Sequence, residues 1–131
     1  MTVYTQDHRK WEFVLSEANG QRSRENGIVK AGQGMLKAGT VVQFDASAPT
    51  KLVAADGIHD GNGNLATAVA GIIARDIDAT SADVPVGYIA RDAEVKDAFV
   101  IYPTESPTGG EKAATIKSLK SQGIVVRGEF A

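Results

Sequence analysis

Lys51-Leu-Val-Ala-Ala-Asp-Gly57 reopens as Ala68-Val-Ala-Gly-Ile-Ile-Ala-Arg75 and again as Val84-Pro-Val-Gly-Tyr-Ile-Ala-Arg-Asp-Ala-Glu-Val95. Three short apolar runs follow one another, separated by turns rich in Asp, Gly and Asn or in Ser, Thr and Asp. Runs of this length bounded by turn residues predict buried strands rather than helices. No nucleophile, acid pair or ligand cluster stands between them. The pattern is that of a small β module that presents surface.

Working outward, Val41-Val-Gln-Phe-Asp45 adds a strand before Lys51, and further strands are expected near 67–76, 84–91 and 95–102. Pro85 implies that its strand lies at an edge or begins there, because proline cannot donate to a ladder. Pro103-Thr-Glu-Ser-Pro-Thr-Gly-Gly110 reads as a loop. Glu111-Lys-Ala-Ala-Thr-Ile-Lys-Ser-Leu-Lys-Ser-Gln-Gly123 is the one good helix, with Ala113, Ile116, Leu119 and Lys120 at helical spacing. Glu111 in its first turn and lysines late suit the helix dipole, and Gly123 stops it. A last strand over Gly123–Phe130 closes a mainly β (α+β) fold.

Residues 1–27 read differently. Trp11-Glu-Phe-Val-Leu15 alternates large apolar residues with the period of a strand, and the polar, aperiodic Ser16–Gly27 follows, with Asn19-Gly20 and Asn26-Gly27 as turn signals. The sequence predicts an N-terminal arm over 1–27 and a β-rich domain over 28–131. An extended arm can add as a strand to another protein's sheet edge, its backbone supplying affinity and its alternate side chains specificity. Trp11, Phe13 and Leu15 are then the anchors, and pairing within the chain's own domain is the plainer alternative.

Composition narrows the function. At 131 residues the length fits one domain that buries roughly two-thirds of its unfolded surface. Aromatics make up only 6% of the chain, so the core is expected to be thin and aliphatic, and a partner subunit would stabilise it by mass action. There is no cysteine, hence no disulfide or thiolate site. A net charge of −2 offers no broad basic field for nucleic acid; the one basic cluster is Arg22, Arg24 and Lys30, interrupted by Glu25. The opening residues show no signal pattern and no apolar run reaches membrane-spanning length, so a soluble protein made in the cytoplasm is expected.

Motifs that imitate chemistry fail on inspection. Counted from Asp60, the EF-hand positions that need glycine and glutamate hold Leu65 and Gly71. Gly32-Gln-Gly-Met-Leu-Lys37 lacks the third glycine of a dinucleotide fingerprint. His8 and His59 have no nucleophile beside them in sequence, and Asp76 with Asp78, or Asp92 with Glu94, suits the solvated face of a strand. No catalytic, metal or cofactor site is expected.

The run Phe13-Val-Leu-Ser-Glu-Ala-Asn-Gly-Gln-Arg-Ser-Arg-Glu-Asn26, followed by Val29-Lys-Ala-Gly-Gln-Gly-Met-Leu-Lys-Ala-Gly-Thr-Val-Val42, resembles the amino-terminal half of phage head decoration proteins. Lys51–Gly57, Ala68–Ala74 and Ala93–Pro103 resemble the body of the lambda-type member, in which a strand ending in proline also precedes an acid- and lysine-rich helix and a closing strand. The arm and the 56–65 loop are longer here. The resemblance implies a β-clip-like small barrel that forms homotrimers at three-fold positions on the outer surface of the expanded virion capsid. It implies the major capsid protein as partner, with the arm adding to that protein's β-structure against the pressure of packaged DNA. Arg22 and Arg24 would then assist Trp11, Phe13 and Leu15 by pairing with capsid acids. Apolar positions near Ile58, Leu65 and Val84 are candidates for the trimer face.

Two other classes compete. The β-clip also serves trimeric dUTPase-like nucleotide hydrolases, and Val86-Gly-Tyr-Ile-Ala90 is faintly like a pocket turn of theirs, although their phosphate-binding tail and acidic motif are missing. A sugar-binding surface module would need an exposed aromatic platform, for which Tyr88 and Tyr102 are the candidates.

Overall fold

The computed structural model, which describes residues 10–128, pairs the apolar runs with one another and closes them into a barrel. In chain order the strands are β1 (Val14–Glu17), β2 (Arg24–Val29), β3 (Gly34–Leu36), β4 (Val41–Phe44), β5 (Leu52–Ala54), β6 (Val69–Ile73), β7 (Ile77–Ala79), β8 (Val84–Ile89), β9 (Ala93–Lys96) and β10 (Ile124–Arg127). One helix, α1 (Glu111–Ser121), precedes the last of them. Strands β2, β5, β4, β6 and β8 close the barrel in that order, β1-β9-β10 form a separate sheet, and β3 and β7 make a two-stranded ribbon. The fold is mainly β with a single C-terminal helix, as the sequence predicts.

Several barrel strands bury apolar residues on both faces, for a geometric reason. Successive side chains of a strand point to opposite faces, and here each face has its own core. Val29, Val42, Leu52, Ile73, Val86 and Tyr88, one from nearly every position around the ring, form a cluster inside the barrel. Their neighbours Val41, Ile72 and Ile89 point outward, into a second cluster with Phe13, Val95, Leu119 and Ile124. The β1-β9-β10 sheet and α1 therefore cover one side of the barrel. Val69-Ala-Gly-Ile-Ile73, buried at every residue, lies between the two cores.

Gly71 makes that double packing possible. A Cβ built at this position would lie 1.9 Å from the Ile89 carbonyl oxygen and 2.8 Å from Tyr88 Cδ2. Only a glycine lets β6 pass so close to β8.

Several expectations are corrected. Residues 10–27 are part of the domain: β1 pairs antiparallel with β9, and the expected boundary at residue 27 falls inside β2, whose six residues pair along β8. Residues 1–9 of the expected arm lie outside the described residues. Pro85 does not mark an edge, because β8 sits between β2 and β6; it is the second residue of its strand, where the alternative reading put it. The strand expected over 95–102 stops at Lys96, where Asp97–Phe99 turn in a short 3-10 helix. In α1 the buried residues are Glu111, Ala114, Thr115 and Leu119, so the stripe is rotated from the expected one and Ala113 faces solvent. Thr115 joins the stripe because its hydroxyl donates to the Glu111 carbonyl at 2.7 Å, which satisfies it without water.

Candidate functional site

The chain enters the domain through Lys10–Phe13, a turn that sets Trp11 against the barrel wall. The Trp11 amide donates to the Ala74 carbonyl at 2.8 Å. Its indole lies over Gly87, where a Cβ would sit 3.5 Å from Cζ2, an ordinary contact. The guanidinium of Arg24 stands over the ring, 4.0 Å from its centre. Arg24 also grips both oxygens of Glu17, with Nε and Nη2 each donating at 2.8 Å, and the buried Ser23 hydroxyl donates to the same carboxylate. The hydrogen bonds from Arg24 hold the Glu17 carboxyl below the usual carboxylate range, and Glu17 in turn raises Arg24.

The expected anchors thus have unequal fates. Phe13 is 1% exposed and packs in the outer core, so it is spent on the protein's own stability. Trp11 is half-buried beside it, with ring centres 6.3 Å apart. Leu15 is 39% exposed. The expected alternation of 11, 13 and 15 on one side fails because the register slips between Val14 and Ser16: Val14 faces Val95 and Ser16 faces Glu94, which leaves Leu15 as the extra residue of a bulge. Arg24 is engaged internally, whereas Arg22 is exposed and its carbonyl accepts from Arg91 Nη1 at 2.6 Å.

Around Trp11 the structure opens a cleft of about 350 Å³ lined by Lys10, Arg24, Glu25, Arg75 and Gly87 among others. Lys10 and Arg75 did not stand out in the sequence, since they lie 65 positions apart and only folding brings them together. Leu15 borders a second cleft of about 430 Å³, with Lys96, Asp97 and Arg127 around it. Further apolar surface is exposed at Met35 (75%), Ile58 (61%), Phe44 and Ile101. Of the three positions considered for a subunit face, Ile58 is exposed, while Leu65 and Val84 pack partly against the cores.

The sequence motifs that imitate chemistry have structural duties here. Asp60 Oδ1 accepts from the amides of Asn62 and Asn64 and so folds its own loop. His59 Nδ1 lies 2.8 Å from the Gly57 carbonyl. Tyr88 is buried inside the barrel, and the Tyr102 hydroxyl donates to Asp97 at 2.6 Å, so neither forms an open aromatic platform. Burial pushes both phenols up, and the bond from Tyr102 holds Asp97 down. Among the described residues no three metal-ligating side chains come together, and no helix is long and apolar enough to cross a membrane.

A closed five-stranded barrel, covered on one side by a sheet and a helix and carrying exposed apolar and charged surface elsewhere, defines a small β-barrel module. The family model for bacteriophage lambda head decoration protein D matches residues 3–124, and the chain belongs to that family of structural capsid proteins. The protein is therefore a phage head decoration protein, a component of the virion capsid. No curated protein matches the chain.

Proposed function

We propose that the protein binds as homotrimers to the outer surface of the expanded capsid at its three-fold positions, and that residues 1–9 add to β-structure of the major capsid protein. The observation that carries this reading is where the N-terminal segment joins the body. It enters at Lys10–Trp11, directly before β1, and among the described residues β1 is an edge strand with β9 on one side only. A strand edge left unpaired among the described residues, next to the point where residues 1–9 join the body, is what strand addition uses. The arm is thus shorter than the sequence suggested, and Trp11 and Phe13 act as its root rather than as its contacts.

Trimerisation is supported by exposed apolar residues that a neighbouring subunit would cover, Ile58 foremost. It also supplies the energetics. Each backbone hydrogen bond of an added strand nets only about 1 kcal/mol. Three arms on one particle bind the shell at high effective concentration, so avidity multiplies what a single arm achieves. Clamping neighbouring capsomers in this way resists the outward pressure of packaged DNA, and the role needs no cofactor and no chemical step.

The test is binding to expanded, undecorated capsids by the full chain and by a chain lacking residues 1–9. Saturable binding by the full chain, with the shortened chain folded but binding at least tenfold more weakly, is the expected result. Equal binding by both would remove the arm from the mechanism, and no binding by either would remove the capsid-surface role.

A further inference from the structure

We infer that the cleft around Trp11 is a docking site for an acidic segment of the capsid protein, an inference that rests on the decoration reading above. Two of its charges are already neutralised within the chain: Arg24 by Glu17 at 2.8 Å, and Glu25 by Arg91 at 2.7 Å. Lys10 and Arg75 are the other two charged residues of the lining. Arg75 spends one nitrogen on the Pro85 carbonyl at 2.7 Å and, like Lys10, has no carboxylate partner among the described residues. Two cations without a carboxylate partner among the described residues therefore line one cleft in a chain whose net charge is −2. The guanidinium is a fork suited to a carboxylate.

The backbone supports the same reading. Trp11 has φ 61°, a left-handed conformation that a bulky aromatic seldom takes and that clusters at ligand clamps and functional turns. It is held there by its amide bond to Ala74, by Gly87 beneath the indole and by Arg24 over it. The strain fixes the indole in the lining of the cleft, with its rim turned to the same space as Lys10 and Arg75. An extended segment carrying Asp or Glu fits both features at once, its carboxylates meeting Lys10 and Arg75 and its backbone or an apolar neighbour packing against the rim of the indole. Nucleic acid fits less well, since two cations make too few phosphate contacts for strong counterion release and no broad basic field surrounds them.

Trp11 is the only tryptophan, so its fluorescence reports on the cleft directly. Titrating the full chain with a hexaglutamate peptide at low salt is expected to shift the Trp11 emission saturably. The Lys10→Gln/Arg75→Gln double variant is expected to lose that shift while keeping the wild-type melting temperature. On expanded capsids the same variant is expected to bind roughly tenfold more weakly with a shallower salt dependence, each exposed pair contributing a few-fold, and Arg75→Lys to retain most of the binding. Absence of wild-type capsid binding would sink the decoration reading, while the peptide titration judges the cleft by itself. An unresponsive Trp11, a response to a DNA hexamer in place of hexaglutamate, or an identical response in the double variant would overturn the docking site.

Discussion

Arg24 stands 4.0 Å over the centre of the Trp11 ring while its guanidinium holds both oxygens of Glu17. One side chain thereby ties the entry turn, the end of β1 and the start of β2 into a single unit. Truncation to Arg24→Ala removes a two-point ion pair and a cation–π contact, both partly screened by solvent, and is expected to lower stability by about 1–2 kcal/mol. Chemical denaturation checks the value. Arg24→Lys is expected to recover less than half, because a point charge cannot reproduce the two parallel bonds.

The same pair makes stability depend on pH. Glu17 has its folded pKa depressed below the ordinary 4.5, chiefly by the hydrogen bonds from Arg24. A depressed carboxylate contributes stability that is present above the unfolded pKa and is lost as pH falls through the folded value. Asp97, lowered mainly by Tyr102, adds a contribution of the same sign. Melting temperatures are therefore expected to be level near neutrality and to fall below about pH 4.5. The gap between wild type and Glu17→Gln should narrow over that acid range, and a constant gap would exclude the pair as its source.

Phe13 and Leu15, two residues apart, are expected to behave oppositely. Phe13→Ala empties a site that is 1% exposed in the outer core and should cost about 3–5 kcal/mol of folding stability. Leu15→Ala, at the bulge, should cost under about 1 kcal/mol. Urea unfolding of the two variants separates them. For the same reason a deletion of residues 1–27, which removes Phe13, β1 and most of β2, is expected not to fold.

Gly71→Ala is expected to be among the most damaging single-methyl changes in the chain. The added carbon meets the Ile89 carbonyl, a backbone atom that cannot swing aside. Forcing β6 and β8 apart would cost about 1–3 kcal/mol or more, whereas Gly87→Ala, with its nearest contact at 3.5 Å, should be tolerated. Thermal melts of the two variants decide this.

Strand β6 was legible because two cores demand apolar residues along it, and Val69-Ala-Gly-Ile-Ile73 has the composition that result requires, whereas β2 was missed because Arg24-Glu-Asn-Gly27 is polar and reads as a turn. The helix was legible from its charges and its stop at Gly123, but its rotation was not: Ala113 and Ala114 are chemically equal, and only the neighbouring strands decide which faces inward. Phe13 misled because its partners in β9 and β10 lie some eighty or more positions away, so nothing local distinguishes a strand that covers its own barrel from one offered to another protein. The β3-β7 ribbon is too short to show a period. The Trp11 cleft was half visible: Trp11 and Arg24 were singled out as binding residues, but their contact with each other, and the company of Lys10 and Arg75, exist only once the chain has closed.

The most direct test is a cryo-EM reconstruction of expanded, undecorated capsids saturated with the full-length protein. The account predicts density for three copies of the barrel at each three-fold position on the outer surface, with residues 1–9 running as a strand along capsid-protein β-structure. Particles without added density, or density elsewhere with the N-terminal segment folded back on its own barrel, would contradict it.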